Sequence, residues 1–250
     1  MAEPLVTVVV PSYNQGQFLD ATLSSIFSQS VLVEVYVMDG GSTDVSVDVI
    51  KKWSHRLAGW QSQADNGQAA AINAGIKLGK APYVCWLNSD DIFIKDGLTH
   101  LLAALRTTAA PVAYGGCWHI DEVGKKVTRY LTMPFSRRML ANYCFIAQPS
   151  SLIRRDVWEA FGGLDESLQF AMDFDLWWKC YLHGGDFTYV RTFCAANRLH
   201  QDTKTHNNIE SHYEESMQVV LKHYGKIPIK WLLLLPIMRV IRRMAASRYR

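Results

Sequence analysis

The residues most able to do chemistry fall in short polar clusters, each at the end of an apolar run. Asn88-Ser89-Asp90-Asp91 follows the apolar Tyr83 to Leu87. Two adjacent carboxylates after a buried strand cost desolvation energy unless a cation or ligand offsets them. Mg²⁺ or Mn²⁺ takes one or two carboxylates and fills its other positions with phosphate oxygens and water, so the pair suits a metal bridging a diphosphate. Asp90 or Asp91 could instead cap a helix opening near Ile92. Asp39-Gly40-Gly41-Ser42 closes a second run. There a carboxylate could accept from a base N–H or a ribose hydroxyl, while the glycines let the backbone approach a ligand. The same residues also read as a turn in which Ser42 or Thr43 caps the next helix. Asp173 and Asp175 open an apolar helical stretch, where the helix dipole favours acids whatever their task. Set against Met172, Phe174 and two tryptophans, a carboxyl here could have a raised pKa and take a proton from a hydroxyl. His200 stands in a polar loop, where a neutral imidazole could ligate a metal or simply be solvated, with His206 and Asp202 as weaker candidates.

The elements that must position these groups follow from hydrophobic period. Leu5–Val10, Val33–Met38 and Tyr83–Leu87 are short and near-continuously apolar, as strands buried on both faces are. Between them Phe18, Leu19, Leu23, Ile26 and Phe27 recur at helical spacing, and Val45–Trp53 and Gln68–Leu78 read as further helices. Strands alternating with helices predict an α/β fold, a nucleotide-binding, mainly parallel central sheet flanked by helices. Ligands of such sheets sit beyond the carboxyl ends of the strands, where the polar clusters lie. After about Ala110 the pattern becomes mixed. Strands are expected over Val112–His119 and Val127–Leu131, and helices over Phe174–His183 and Ile209–His223. Neither G-x-G-x-x-G nor G-x-x-x-x-G-K-[ST] occurs, which counts against a dinucleotide-dependent dehydrogenase and a P-loop enzyme.

The 250 residues carry a net charge of +3, distributed unevenly. From Ser216 onward there are eight Lys/Arg and no Asp/Glu, leaving 18 basic against 23 acidic residues before it. An acidic body argues against nucleic acid as a partner. The five cysteines are odd in number and widely spaced, which indicates no disulfide framework or zinc knuckle and fits a reducing cytoplasmic setting. The N-terminus has no secretory-signal pattern. Two segments are expected: residues 1–225 as the α/β domain and 226–250 as a basic amphipathic C-terminal helix. In that helix Trp231 to Met238, followed by five arginines, is too short to span a bilayer and reads as lying on an anionic membrane surface or packing on protein.

Taken in order, these clusters resemble family 2 glycosyltransferases of the bacterial surface-polysaccharide type, the large inverting family with the GT-A fold. Val8 to Asn14 looks like the family's opening strand and Val37 to Asp44 like its D-[DG]-G-S-T-D element. Asp65-Asn66-Gly67 with Ala71, Asn73 and Gly75 looks like the next donor-side element, and Asn88-Ser89-Asp90-Asp91 sits where the family carries D-x-D. The resemblance implies that Pro11, Tyr13, Asn14, Asp39 and Asp65 hold the nucleoside, Asn88 and Ser89 the ribose side, Asp90 with His200 a Mn²⁺ or Mg²⁺ ion, and Asp173 acts as base. Two positions depart from the pattern: Asn88 replaces the first acid of D-x-D, and Met172 the usual Glu before the catalytic Asp, leaving Asp175 as a reserve base. The implied reaction transfers a sugar from a UDP- or dTDP-sugar to a hydroxyl of a glycan or lipid-linked acceptor, at the inner face of the cell membrane. A loop around Leu199–Asn208 is expected to close over the donor. The other readings are a nucleotidyltransferase-type enzyme and a non-catalytic partner of the same fold.

Overall fold

A computed structural model describes residues 2–200 and 208–233. The chain begins with four parallel strands joined by helices: β1 Val6–Ser12, α1 Gly16–Phe27, β2 Val33–Asp39, α2 Ser46–Trp53, β3 Gly59–Ser62, α3 Gln68–Leu78 and β4 Tyr83–Trp86. It continues through β5 Ile92–Phe93, α4 Gly97–Arg106, the hairpin of β6 Val112–Ile120 and β7 Lys126–Arg129, and α5 Arg137–Leu140. Then come β8 Ser151–Arg154, α6 Arg155–Ala160, α7 Met172–Gly184, β9 Thr188–Arg198 and α8 Ile209–Tyr224. One sheet of order β3-β2-β1-β4-β8-β6-β9-β5 runs through the molecule, with β7 beside β6.

Each residue of β1 is buried, because helices cover both faces of the parallel half. Val6, Val8 and Val10 pack with α1, α2 and α4, whereas Val9 points into the opposite core with α3, α7 and α8. The parallel half matches the sequence expectation. Beyond β4 the sheet is mixed, since β8 pairs antiparallel with both β4 and β6, while β6 and β9 are parallel.

Two features of topology position the site. The chain leaves β1 toward β2 on one side and returns to pair β4 on the other, so β1 and β4 flank the point where strand order reverses, which is where ligands bind in such sheets. Secondly, the two residues of β5 pair antiparallel with β9, Ile92 opposite Ala196 and Phe93 opposite Ala195. This register runs residues 197–200 back along 91–88, so a segment more than a hundred residues away in sequence meets the acidic cluster. Asp90 and Asp91 therefore lead into a strand and not into the helix considered near Ile92. Strands β3, β5, β8 and β9 and helices α4, α5 and α6 are additions to the sequence expectation.

The core does not end at residue 225. Trp231 is buried against Tyr213 and Phe174, its indole N–H donates to the Ala141 carbonyl at 2.8 Å, and the Tyr213 hydroxyl donates to its carbonyl at 2.7 Å. Of the two readings of this segment, packing on protein is the one Trp231 follows. Its side chain anchors the described start of the expected tail to the body, while residues 234–250 lie outside the described part. Among the described residues no helix is long and apolar enough to cross a membrane.

Candidate active site

At the carboxyl ends of β1 and β4 lies a cleft of about 740 Å³, walled by Pro11–Tyr13 and Gln15, Gly40, Asp65, Gly67–Gln68, Trp86, Asn88, Asp90–Asp91, Gln148, Gln169–Phe170, Met172–Asp173 and Asn197–Arg198. Of the residues the sequence nominated, Pro11, Tyr13, Asp65, Asn88, Asp90 and Asp173 line it. Tyr13 keeps 64% of its surface exposed, an open aromatic face at the end of β1. Asp65 turns part of its carboxylate onto the Gly67 N–H at 2.8 Å, shaping the entry to α3.

Asn14, Asp39 and Ser89 are not among the residues lining the cleft, against their expected direct contact: Asp39 and Ser89 are buried, while Asn14 is exposed and engaged with the neighbouring loop. Asp39 is buried, and its carboxylate is taken up by its own loop. It accepts from the Ser42 hydroxyl at 2.6 Å, the Ser62 hydroxyl at 2.7 Å and the Ser42 N–H at 2.9 Å. Asn14, with φ of 52°, ties the first loop to the second by donating its N–H to Ser42 Oγ and accepting from the Thr43 N–H, both at 2.8 Å. Helix capping falls to Asp44 in place of Ser42 or Thr43. Its carboxylate accepts from the N–H of Gly16 and of Ser46, each at 2.9 Å, so one side chain serves the starts of α1 and α2. These hydrogen bonds outweigh its partial burial and lower its pKa. Ser89 is fully buried and donates to the Gln15 amide oxygen, and the Gln15 amide nitrogen donates to Asp90 Oδ2 at 3.2 Å.

His200 meets Asp90, with Nε2 lying 2.9 Å from Oδ2. The two proposed metal ligands are thus in one place, although they come from opposite ends of the domain. Donor atoms on neighbouring vertices of an octahedral Mg²⁺ or Mn²⁺ ion, with bonds of about 2.1 Å, stand about 3 Å apart. One carboxylate oxygen and one imidazole nitrogen at this separation therefore fit the ion, and of the two side chains Asp90 lines the cleft. Among the described residues no group of three or more His, Cys, Asp or Glu side chains forms a closed cage. His206 and Asp202 fall outside the described residues, as does most of the loop expected to close over the cleft.

Asp91 points away from the cleft's mouth and accepts from the Arg198 N–H at 2.9 Å and the Asn88 amide at 3.3 Å. Burial and then the neighbouring charge of Asp90 raise its pKa well above the usual range. Arg198 is the residue sequence reasoning missed most. Buried to 5% exposure, it donates to the carbonyls of Asp90, Asp121 and Glu122 and lies 4.8 Å from the Phe18 ring centroid. It brings a positive charge beside Asp90 on the cleft wall. Gln68, which donates to Asn88 Oδ1 at 2.8 Å, and Gln148, which donates to the Trp86 carbonyl at 2.8 Å, were missed too. Single amides carry no spacing signal. Three buried polar atoms of cleft-lining residues, Ser12 Oγ, Trp86 Nε1 and Asn197 Oδ1, have no partner among the described residues. Leaving such groups unsatisfied costs about 1–3 kcal/mol each, which favours a polar ligand that satisfies them.

The two carboxylates of α7 have opposite surroundings. Asp173, on the cleft wall, accepts from the N–H of Phe174 at 2.8 Å, and burial raises its pKa. Asp175 is wholly buried on the other side of the helix. Burial by itself would raise its pKa, but hydrogen bonds from His223 at 2.7 Å and Lys222 at 3.0 Å and the ion pair with Lys179 at 2.7 Å hold it far below the usual range. Asp175 is consumed in holding α7 to α8 and faces no ligand, which removes it as a reserve base.

A cleft at the switch point of an α/β sheet, with an acidic pair at its floor and the carboxylate of Asp173 on its far wall, is carried on a fold that matches the GT-A glycosyltransferase class. Solved structures agree in fold. Staphylococcus aureus TarS in complex with UDP-GlcNAc aligns at a TM-score of 0.71 with 19% identity, covering 87% of this chain and 66% of that one. The mannosyltransferase PcManGT from Pyrobaculum calidifontis, in complex with GDP-Man and Mn²⁺, aligns at 0.68 with 16% identity, covering 98% and 76%. The family model for glycosyl transferase family 2 matches residues 7–161, and the chain belongs to that family. Escherichia coli chondroitin synthase is 24% identical over 231 residues, taking in 91% of this chain but only 34% of the synthase. The validoxylamine A glucosyltransferase of Streptomyces hygroscopicus subsp. jinggangensis is 27% identical over 266 residues, or 90% of this chain and 62% of that protein.

Proposed function

We propose that the protein is a metal-dependent, inverting glycosyltransferase that moves a sugar from a UDP- or dTDP-sugar to a hydroxyl of a glycan or lipid-linked acceptor. The observation that carries this reading is the meeting of Asp90 and His200 at 2.9 Å, with Asp90 lining the same cleft as Asp173. The bound complexes of the structural neighbours, with UDP-GlcNAc and with GDP-Man and Mn²⁺, support a nucleotide-sugar donor and a divalent ion. The relative named chondroitin synthase supports a glycan acceptor.

In this reading Tyr13 stacks on the base, and Asp65 hydrogen-bonds its edge. The loop held by Asp39 and Asn14 sets the distance between them. Asp90 and His200 would hold the Mn²⁺ or Mg²⁺ ion, which when bound would offset charge on the leaving diphosphate. Arg198 adds a fixed positive charge on the same wall. Asp173 accepts the proton of the attacking hydroxyl, and its raised pKa makes it a better base than an ordinary aspartate. Attack from the Asp173 side, opposite the diphosphate, inverts the anomeric carbon. Asn88 would leave the ion one carboxylate fewer than a D-x-D motif offers.

The test is calorimetric titration of UDP, dTDP and GDP into the protein with and without Mn²⁺, alongside Asp90→Ala. Metal-dependent binding of a pyrimidine diphosphate that the variant loses is the expected result. Equal binding with and without Mn²⁺, or unaltered metal-dependent binding to the variant, refutes the metal assignment. Working in cell-surface polysaccharide synthesis at the cytoplasmic face of the membrane, with the basic C-terminal segment on the lipid, belongs to the same proposal. The eight basic residues after Ser216 support that part of it.

A further inference from the structure

Helix α7 carries Asp173 in its first turn but has no capping side chain at its N-cap. Ala171 stands there, with no acceptor to offer the helix's first N–H groups. Met172, at the position where an acidic residue would be expected, is buried and apolar. An acceptor for the backbone entering the helix arrives instead from α8. Glu215 turns its carboxylate onto three successive backbone N–H groups just ahead of the helix. Phe170 donates at 2.7 Å, Ala171 at 3.0 Å and Gln169 at 3.1 and 3.2 Å to the two oxygens. Gln169, Phe170, Met172 and Asp173 all line the cleft, so the clamped segment is its far wall. A carboxylate gathering three N–H groups is a charge-assisted arrangement of high directional demand, and it fixes the backbone path into Asp173.

We infer that Glu215 is a positioning residue for Asp173: it holds the 169–171 segment so that the carboxylate of Asp173 projects into the cleft. Residues Lys222 and His223 of the same helix bind Asp175 on the side of α7 away from the cleft, an ion-pair cluster that joins the two helices without touching the 169–171 segment. Glu215 lies beyond residues 7–161, the part of the chain that matches the family model, so this support is a property of the chain's own C-terminal half. The inference rests on the reading of Asp173 as base.

The experiment compares wild type, Glu215→Gln, Glu215→Ala and Asp173→Asn in Mn²⁺-dependent hydrolysis of a panel of nucleotide sugars, with UDP binding measured on each. UDP binding should be unchanged in all three variants. Glu215→Ala should lower kcat at least tenfold with the KM for the donor within twofold, and should displace the acid limb of the kcat profile. Glu215→Gln, whose amide oxygen can still accept from Phe170 and Ala171, should recover most of the rate. Near-UV circular dichroism and melting temperature report whether Glu215→Ala stays folded, and should it not, the Gln variant against wild type at 15 °C carries the comparison through its acid limb. Wild-type kcat in Glu215→Ala with an inactive Asp173→Asn overturns the clamp alone. Full activity in Asp173→Asn overturns the base assignment and the clamp's purpose with it. UDP binding lost in proportion to kcat would make Glu215 a residue of general stability and also overturns the inference.

Discussion

Replacing Asp175 by Asn separates the two carboxylates of α7 and has a magnitude that follows from their surroundings. The side chain is fully buried, and so, very nearly, is His223, while Lys179 is 19% exposed. Removing the charge leaves two cationic or polar partners with an amide where they had a carboxylate. Breaking a buried pair from one side costs about 3–5 kcal/mol. The Lys222 arm is half-exposed and adds at most about 1 kcal/mol. Since the Asn oxygen keeps one hydrogen bond, the lower end of that range applies, about 3 kcal/mol. In a chain of this size each kcal/mol moves the melting temperature by about 2–4 °C, so a fall of about 6–12 °C is expected. The sign with pH comes from the depressed pKa. The stabilisation is fully present above the unfolded value of about 4 and is lost as pH falls through the folded one. The gap between wild type and variant should therefore be constant from pH 6 to 8 and shrink below about pH 4. Thermal melts followed by far-UV circular dichroism at pH 7.5, 5.5 and 3.5 measure it. Below its melting temperature Asp175→Asn should keep its transfer rate, whereas Asp173→Asn should lose about 10²–10⁴-fold in kcat. A melting temperature within 2 °C of wild type at pH 7.5, or a loss of kcat in Asp175→Asn matching that of Asp173→Asn, refutes the division of labour.

Two further outcomes are expected. Tyr13→Ala removes the exposed aromatic face and should weaken UDP binding by about 1–3 kcal/mol, the worth of one base stack, with melting temperature unchanged. Trp231→Ala empties a buried site and strands the Ala141 carbonyl, so a loss of about 3–5 kcal/mol in urea denaturation is expected. An unaffected midpoint would mean that residues 226–233 are not part of the domain.

Much of the site was legible because strand-end residues are local. An apolar run such as Val6–Val10 can only be a strand buried on both faces, and the residues after such a strand emerge at the sheet's carboxyl edge. That reasoning reached Tyr13, Asn88 and Asp90, while Asp65 was marked by the start of a helix and Asp173 by an apolar helix start, their roles coming from the family resemblance. Composition likewise determined the acidic body and basic C-terminus. The tertiary structure decided the meetings across long separations and the direction each side chain takes. His200 joins Asp90 over 110 residues because a two-residue strand pairs with β9 in one register, and two residues carry too weak a pattern to be read. Asp39 and Asp173 are the same residue type at element ends, yet one is consumed by Ser42 of its own loop and Ser62 at the end of β3, and the other faces the cleft. Asp175, two residues after Asp173, points to the opposite side of its helix, into Lys179 of its own helix and Lys222 and His223 of α8. Trp231 stands in a run of leucines and arginines that fits a membrane surface or packing on protein alike, and only the hole between Ala141, Tyr213 and Phe174 makes it a core residue. Period and composition report which element a residue belongs to, while partners at long range depend on how the elements pack.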